Sequence, residues 1–329
     1  MKALPRSPKR DPADSPAGLV AAPLEAVERR IGELLGSRER LLTEIGAYLL
    51  DSGGKRIRPM VVLLSYGAAG GQNFEEIVDA AAALELIHSA SLLHDDIIDE
   101  AELRRGRTSP LRKYGVASTL VAGDFLFSRA YQVCGRYDRV VIEWAALACV
   151  ELTEGEILQA RFRRNPSVTV EDYFEIVARK TASLFSTGAR TGAYLAGSGP
   201  STVESFSRVG HHVGIAFQIL DDVLDLESSE AELGKPVGLD LREGTPSLPI
   251  VLALREDEAV RNFFLEPSPA EDRLAAVLER LRSSRALETA RKMASEEAAK
   301  ARRILATLAA NAYREQFFAL VDQLERRRS

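Results

Sequence analysis

Cysteine is scarce in this 329-residue chain, with only Cys134 and Cys149, fifteen positions apart. One continuous helix at ~1.5 Å per residue would hold them about 22 Å apart, beyond disulfide reach. No CxxC pair exists, so neither a disulfide framework nor a cysteine metal site is expected, and a reducing cytoplasm is the expected compartment. An excess of basic residues is also missing. Lys+Arg number 43 against 48 Asp+Glu, a net charge of −5, which excludes a chain-wide binder of nucleic acid or anionic lipid. Any bound anion must therefore meet a local cluster of cations. Long apolar runs are absent too: Val61 to Leu64 is short, and Val140 to Val150 is broken by Glu143, far below the ~18 residues of a membrane span. No transmembrane segment is expected. Residues 1–16 carry basic residues and prolines but no apolar stretch, and Asp11 and Asp14 speak against a transit peptide, so a disordered tail is expected there.

Alternating β-branched runs are nearly absent as well, whereas apolar residues recur at three- and four-residue spacing almost throughout. The expected fold class is all-α. The pattern predicts helices over about 18–51, 57–70, 73–101, 116–135, 139–163, 170–196, 200–227, 247–264, 270–283, 285–310 and 312–327. Gly53-Gly54, Gly70-Gly71, Asn165-Pro166, the run from Gly197 to Pro200, and Pro267 with Pro269 punctuate it. Segments 79–94 and 206–220 are apolar or small on most faces, as suits inner helices of a large bundle. Hydrophobic residues at 46% and charged residues at 28% fit a globular chain and exclude whole-chain disorder, collagen and coiled coil.

One acidic motif, DDxxD, occurs twice, as Asp95-Asp96-Ile97-Ile98-Asp99 and as Asp221-Asp222-Val223-Leu224-Asp225. On a helix the first and last Asp lie one turn apart, with the middle Asp about 100° round. Like charges at that spacing cost helix stability unless cations sit between them. A single acidic turn is commonly a solvated face, but two copies after long apolar runs point to metal. Carboxylates suit hard ions, and Mg²⁺ takes one or two of them and completes its shell with water and phosphate oxygens. The expected ligand is a diphosphate bound through Mg²⁺, with Mn²⁺ the alternative. Candidate cationic partners are Lys55 and Arg58 in GGKRIRP, Arg104 and Arg105 in LRRGR, Lys180 and Lys235. His88, seven residues before Asp95, projects within about 20° of the same helix face. His94 points elsewhere and, with His211 and His212, is expected to be structural.

These segments, GGKRIRP at 53–59, DDIID at 95–99, RRG at 104–106, AGDFLFSRA at 122–130, KT at 180–181, FQILDDVLD at 217–225 and GKPVGLDLREG at 234–244, together resemble the trans-prenyl diphosphate synthase (polyprenyl synthetase) family. The resemblance runs from about residue 40 to 255. It implies a large single-domain helical bundle around a central cavity, spanning 17–329, usually a homodimer. It also implies head-to-tail condensation of isopentenyl diphosphate with an allylic diphosphate. Carried over by position, Asp95, Asp96, Asp99, Asp221, Asp222 and Asp225 resemble the Mg²⁺ ligands, with Asp240 an outer member. Lys55, Arg58, His88 and Arg105 look like the isopentenyl diphosphate site. Arg104, Lys180, Thr181, Gln218 and Lys235 look like partners of the allylic diphosphate and the nascent cation.

One departure is visible. The family often has EGK where this chain reads Glu243-Gly244-Thr245, so an allylic-side lysine is missing at 245. Small residues at Ala90 and Ser91, about one turn below Asp95, leave room for a growing tail. DDIID also lacks the two-residue insertion usual in bacterial short-chain enzymes of the family. The expected product is therefore all-trans and long, roughly C30 to C50, as in quinone side chains, with geranylgeranyl diphosphate the alternative. Three rivals fit less well. A metal phosphohydrolase needs imidazole ligands, yet His88 and His94 lie about 240° apart round a helix. A cyclising terpene synthase would lack the second acidic motif and GGKRIRP. A non-catalytic partner subunit would be expected to lose the site residues that this chain keeps.

Overall fold

A computed structural model describes residues 18–51, 53–227, 237–267 and 271–326, without the side chains of 271 and 272. The expected tail at 1–16 and the candidate Lys235 lie outside the described residues. The described chain is helical but for one short hairpin, as the three- to four-residue periodicity requires. In chain order the first helices are α1 (Ala21–Leu34), α2 (Arg40–Leu50), α3 (Ile57–Ala68), α4 (Glu75–Ile98), α5 (Pro110–Tyr114), α6 (Val116–Cys134) and α7 (Arg139–Phe162). Next come α8 (Val170–Val177), a π-helical turn at Ala178–Ala182, α9 (Ser183–Leu195) and α10 (Pro200–Glu227). Shorter helices follow as α11 (Leu239–Glu243), α12 (Leu248–Ala253), α13 (Glu258–Leu265) and α14 (Glu271–Ser283), before the long α15 (Arg285–Thr307) and α16 (Ala312–Glu325).

Packing closes these helices into a ring. Neighbours run α6 to α4, α4 to α3, α3 to α9, and α7 returns from α9 to α6, while α10 backs α9 and is itself covered by α15. One contiguous apolar core extends from Val20 to Leu324. Helix α4 is long and apolar enough to cross a membrane, but 78% of its apolar stretch is buried inside the bundle, so the other helices already cover that surface.

Several expectations need correction. The segment 18–51 is two helices, broken after Leu35, where Thr43 Oγ1 accepts the Ser37 amide and donates to the Leu35 carbonyl. The segment 247–264 is also two, because Asp257 caps α13 through the amides of Ala259 and Val260. Cys134 and Cys149 do not share one helix: the first ends α6, the second lies on α7, and both are free. The hairpin was not foreseen. Leu103–Arg104 pairs antiparallel with Arg107–Thr108 across Arg105 (φ 51°) and Gly106 (φ 74°), a two-residue loop with both central residues left-handed. Gly106 meets that requirement without cost, whereas Arg105 is held there against its preference.

Candidate active site

Inside the ring a cavity of about 700 Å³ adjoins a second of about 440 Å³. Arg105, Lys180, Thr181, Gln218 and Asp221 line both, so the two are lobes of one site. Helix α4 supplies one wall of the larger lobe with Glu85, His88, Ser91, Leu92 and Asp95, the three- and four-residue spacing of a single helix face. Lys55 and Arg58 close that lobe from the start of α3, and Asp221 and Asp225 face it from α10. The smaller lobe takes Arg104 from the hairpin, Asp99 from the end of α4, and Asp221, Asp222 and Asp240 from the opposite side. The two acidic turns, 122 residues apart between Asp99 and Asp221, thus open on one space.

The cations are placed by buried partners. Arg56, left-handed at φ 47°, caps α3 and extends to Glu28 on α1 and Glu85 on α4, fixing the loop that presents Lys55 and Arg58. Arg58 is stacked 4.9 Å from the Phe185 ring, and its buried Nε has no hydrogen-bond partner. Burial lowers its pKa, against the pull of Glu85 and Asp221. His88 is held well below its usual range, first by burial and then by Arg58, Arg105 and Arg104, and is therefore a neutral imidazole. Arg104 forks onto Asp96 with Nε and an amino nitrogen each at 2.6 Å, and the Asp96 carboxylate is enclosed.

On the other side, the π-helical turn carries Lys180 and Thr181. Such turns widen a helix locally and recur at functional sites. Gly155 on α7 lets the turn come close, since a Cβ there would lie 2.6 Å from the Lys180 amide nitrogen. Lys180 Nζ donates to Gln159 Oε1 at 2.7 Å and pairs with Glu156. Burial works to lower its pKa, but Asp95 and Glu156 more than offset that. Thr181 donates to Gln218 Oε1 at 2.9 Å, and the Gln218 amide donates to Asp222 Oδ1 at 2.8 Å. Asp222 also accepts from Tyr173 Oη at 2.6 Å and from the Leu248 amide at 3.1 Å. Tyr173→Phe should remove one donor from this buried carboxylate and destabilise the protein by about 1–3 kcal/mol, read from denaturant midpoints.

The donor set fits a divalent ion. Asp95 is pushed up to about 6 by burial, with Glu156 and Asp99 adding like charge against the pull of Lys180. Asp99 and Asp221 face the same lobe, and oxygen donors of this kind suit a hard divalent ion that keeps waters and takes substrate oxygens. His94 turns to α6, with Nε2 3.2 Å from the Leu120 carbonyl, His212 pairs with Glu297 at 2.7 Å, and neither they nor His211 line the two lobes. Ser91 lies at the wall of the larger lobe, whereas Ala90 is fully buried and lines neither lobe. Glu85, Glu156, Gln159, Arg163 and Tyr173 also line the site, outside every motif named from the sequence. Glu85 had a signal, standing one turn before His88 on the same face.

Residues 39–281 match the family described as Polyprenyl synthetase. The chain belongs to that family. It is 36% identical over 307 residues to octaprenyl diphosphate synthase of Escherichia coli K12, covering 92% of this chain and 95% of that one. It is 34% identical over 301 residues to the geranyl-diphosphate-specific all-trans-nonaprenyl-diphosphate synthase of Rhodobacter capsulatus, covering 90% and 92%. Its fold matches a polyprenyl synthase from Caulobacter crescentus CB15, solved with calcium and isoprenyl diphosphate, at TM-score 0.92 and 33% identity over 99% of this chain and 100% of that one. The chain is a prenyltransferase of the all-α isoprenoid synthase type, and its chemistry depends on a divalent metal ion.

Proposed function

We propose that this chain condenses isopentenyl diphosphate with an allylic diphosphate, in the presence of Mg²⁺, to an all-trans polyprenyl diphosphate of roughly C30 to C50. The two-lobed cavity carries this reading: a larger lobe, with Lys55, Arg58, His88 and Arg105 for isopentenyl diphosphate and the wall at Ser91 for the growing tail, meets a smaller, acid- and arginine-lined lobe for the allylic diphosphate group at Lys180, Thr181 and Gln218. Asp95, Asp99 and Asp221 would hold the metal, with Asp96, Asp222, Asp225 and Asp240 behind them. Bound Mg²⁺ supplies positive charge where the diphosphate leaving group develops its negative charge. Lys55, Arg58, His88 and Arg105 hold the isopentenyl diphosphate. Arg104, Lys180 and, outside the described residues, Lys235 draw on the allylic diphosphate so that its C–O bond ionises. Gln218, fixed by Asp222, and Thr181 turn oxygen lone pairs toward the allylic cation. The isopentenyl double bond then attacks, and the proton it loses passes to the departing diphosphate.

Exposed apolar side chains on α6 and α7, among them Val116, Val121, Val150 and Ile157, favour a homodimer joined through these helices. We infer a cytoplasmic enzyme, and the use of the apolar length of α4 in the core agrees with that. Labelled isopentenyl diphosphate and farnesyl diphosphate, incubated with the purified protein and Mg²⁺, should yield products of C30 to C50 on chromatography, and none with EDTA. Products ending at C20 would replace the long-chain reading with geranylgeranyl diphosphate synthesis.

A further inference from the structure

The smaller lobe has a further cation, outside the sequence motifs. Arg163 follows the last residue of α7, lines that lobe, and keeps a third of its side chain exposed. Its guanidinium lies 2.8 Å from Asp99 Oδ1 and 3.5 Å from Glu243 Oε2. Of the other cations of this lobe, Arg104 is forked on Asp96, Lys180 is held by Glu156 and Gln159, and Arg105 is shared with the larger lobe. The neighbouring Arg164 sets where Arg163 stands. Left-handed at φ 53°, Arg164 takes the Gly244 carbonyl with its amide at 2.8 Å. Its guanidinium donates to the carbonyls of Arg242, Phe264 and Glu266. The end of α7 is thus fastened to the loop carrying Thr245, which lines the same lobe and brings no charge to it.

We propose that Arg163 binds the allylic diphosphate, filling from α7 the cationic place that Thr245 leaves uncharged. This rests on the synthase reading above. An arginine fork matches two phosphate oxygens, and a diphosphate entering the lobe offers Arg163 a more highly charged partner than the single carboxylate of Asp99. The exchange needs only side-chain rotation, because Arg164 holds the backbone.

The test is a cycle of Arg163→Ala, Thr245→Lys and the double variant, each checked for folding by circular dichroism. Arg163→Ala should raise KM for farnesyl diphosphate about 10- to 100-fold, the range for a lost charged hydrogen bond, and leave KM for isopentenyl diphosphate within about threefold. Calorimetric binding of farnesyl thiodiphosphate, whose C–S bond resists ionisation, should weaken by the same factor. Thr245→Lys should restore at least about tenfold in the Arg163→Ala background and gain under about threefold alone, because coupled positions are non-additive. Equal gains in both backgrounds, or a loss confined to kcat with the thiodiphosphate bound as tightly as before, would overturn the assignment. Where the alanine variant does not fold, Arg163→Gln takes its place with the same expectations. A wild-type chain that binds no farnesyl thiodiphosphate would sink the synthase reading itself.

Discussion

Asp95→Ala is expected to lower kcat by about 10³-fold or more at saturating Mg²⁺, a loss of ~4 kcal/mol of transition-state stabilisation. The size follows from position. Asp95 lines the larger lobe on the α4 face shared with His88, and Lys180 and Glu156 lie within its field. Its neighbour Asp96 is committed to Arg104, and Asp99 faces the smaller lobe as a ligand in its own right, so neither carboxylate of that turn takes the place of Asp95. Folding should not suffer. Burial pushes the Asp95 carboxyl up to about 6 from an ordinary 3.8, so the folded state binds protons more tightly than the unfolded one. Its contribution to stability therefore falls as pH rises from about 4 to 6, and at pH 7 without metal the buried charge is a cost. The variant should melt no lower than wild type in EDTA at pH 7. Mg²⁺ with inorganic pyrophosphate should raise the wild-type melting temperature and leave the variant nearly unmoved, as expected where ligand binds only the intact site. Retained activity, or equal stabilisation of both proteins, would remove Asp95 from the metal site.

Much of this arrangement was legible in the sequence because it repeats with the helical period. The bounds of α10 follow directly from Pro200 and the apolar pattern behind it, and α6 and α7 are met to within a residue. The stripe joining His88 to Asp95 is likewise a matter of counting turns. Features set by tertiary contact were not legible. Nothing in the periodicity of 170–196 marks the π-helical turn, which depends on the close passage of α7 at Gly155. Arg105 and Gly106 form a turn that only the paired strands make plain, and Arg163 gains its neighbours from Asp99, 64 residues earlier, and Glu243, 80 residues later. The different employment of the two middle aspartates is likewise set by tertiary contact. Spacing places Asp96 and Asp222 off the face of their partners, but not that Arg104 encloses the first while Tyr173, Gln218 and the Leu248 amide saturate the second.

Ser91→Phe is expected to shift the product from C30–C50 to about C15–C20 while the first condensation persists. Ser91 stands one turn before Asp95, about 6 Å lower along the helix axis at ~1.5 Å per residue, and lines the larger lobe beside Leu92 and Leu152. Its hydroxyl turns back to the His88 carbonyl at 2.8 Å, so the small side chain leaves the wall open. A phenyl ring there would fill space that a tail must cross after one or two additions, yet it would not touch the diphosphate groups above. The contrast with Ala90 makes the test specific. Ala90 is fully buried away from the lobe, so Ala90→Phe should overpack the interior at a cost of about 1–3 kcal/mol in stability. Chromatographic sizing beside denaturant melts separates the two outcomes: a shortened product with little loss of stability for Ser91→Phe, and a destabilised protein for Ala90→Phe. If Ser91→Phe still yields C30 or longer, the tail does not pass this wall of α4.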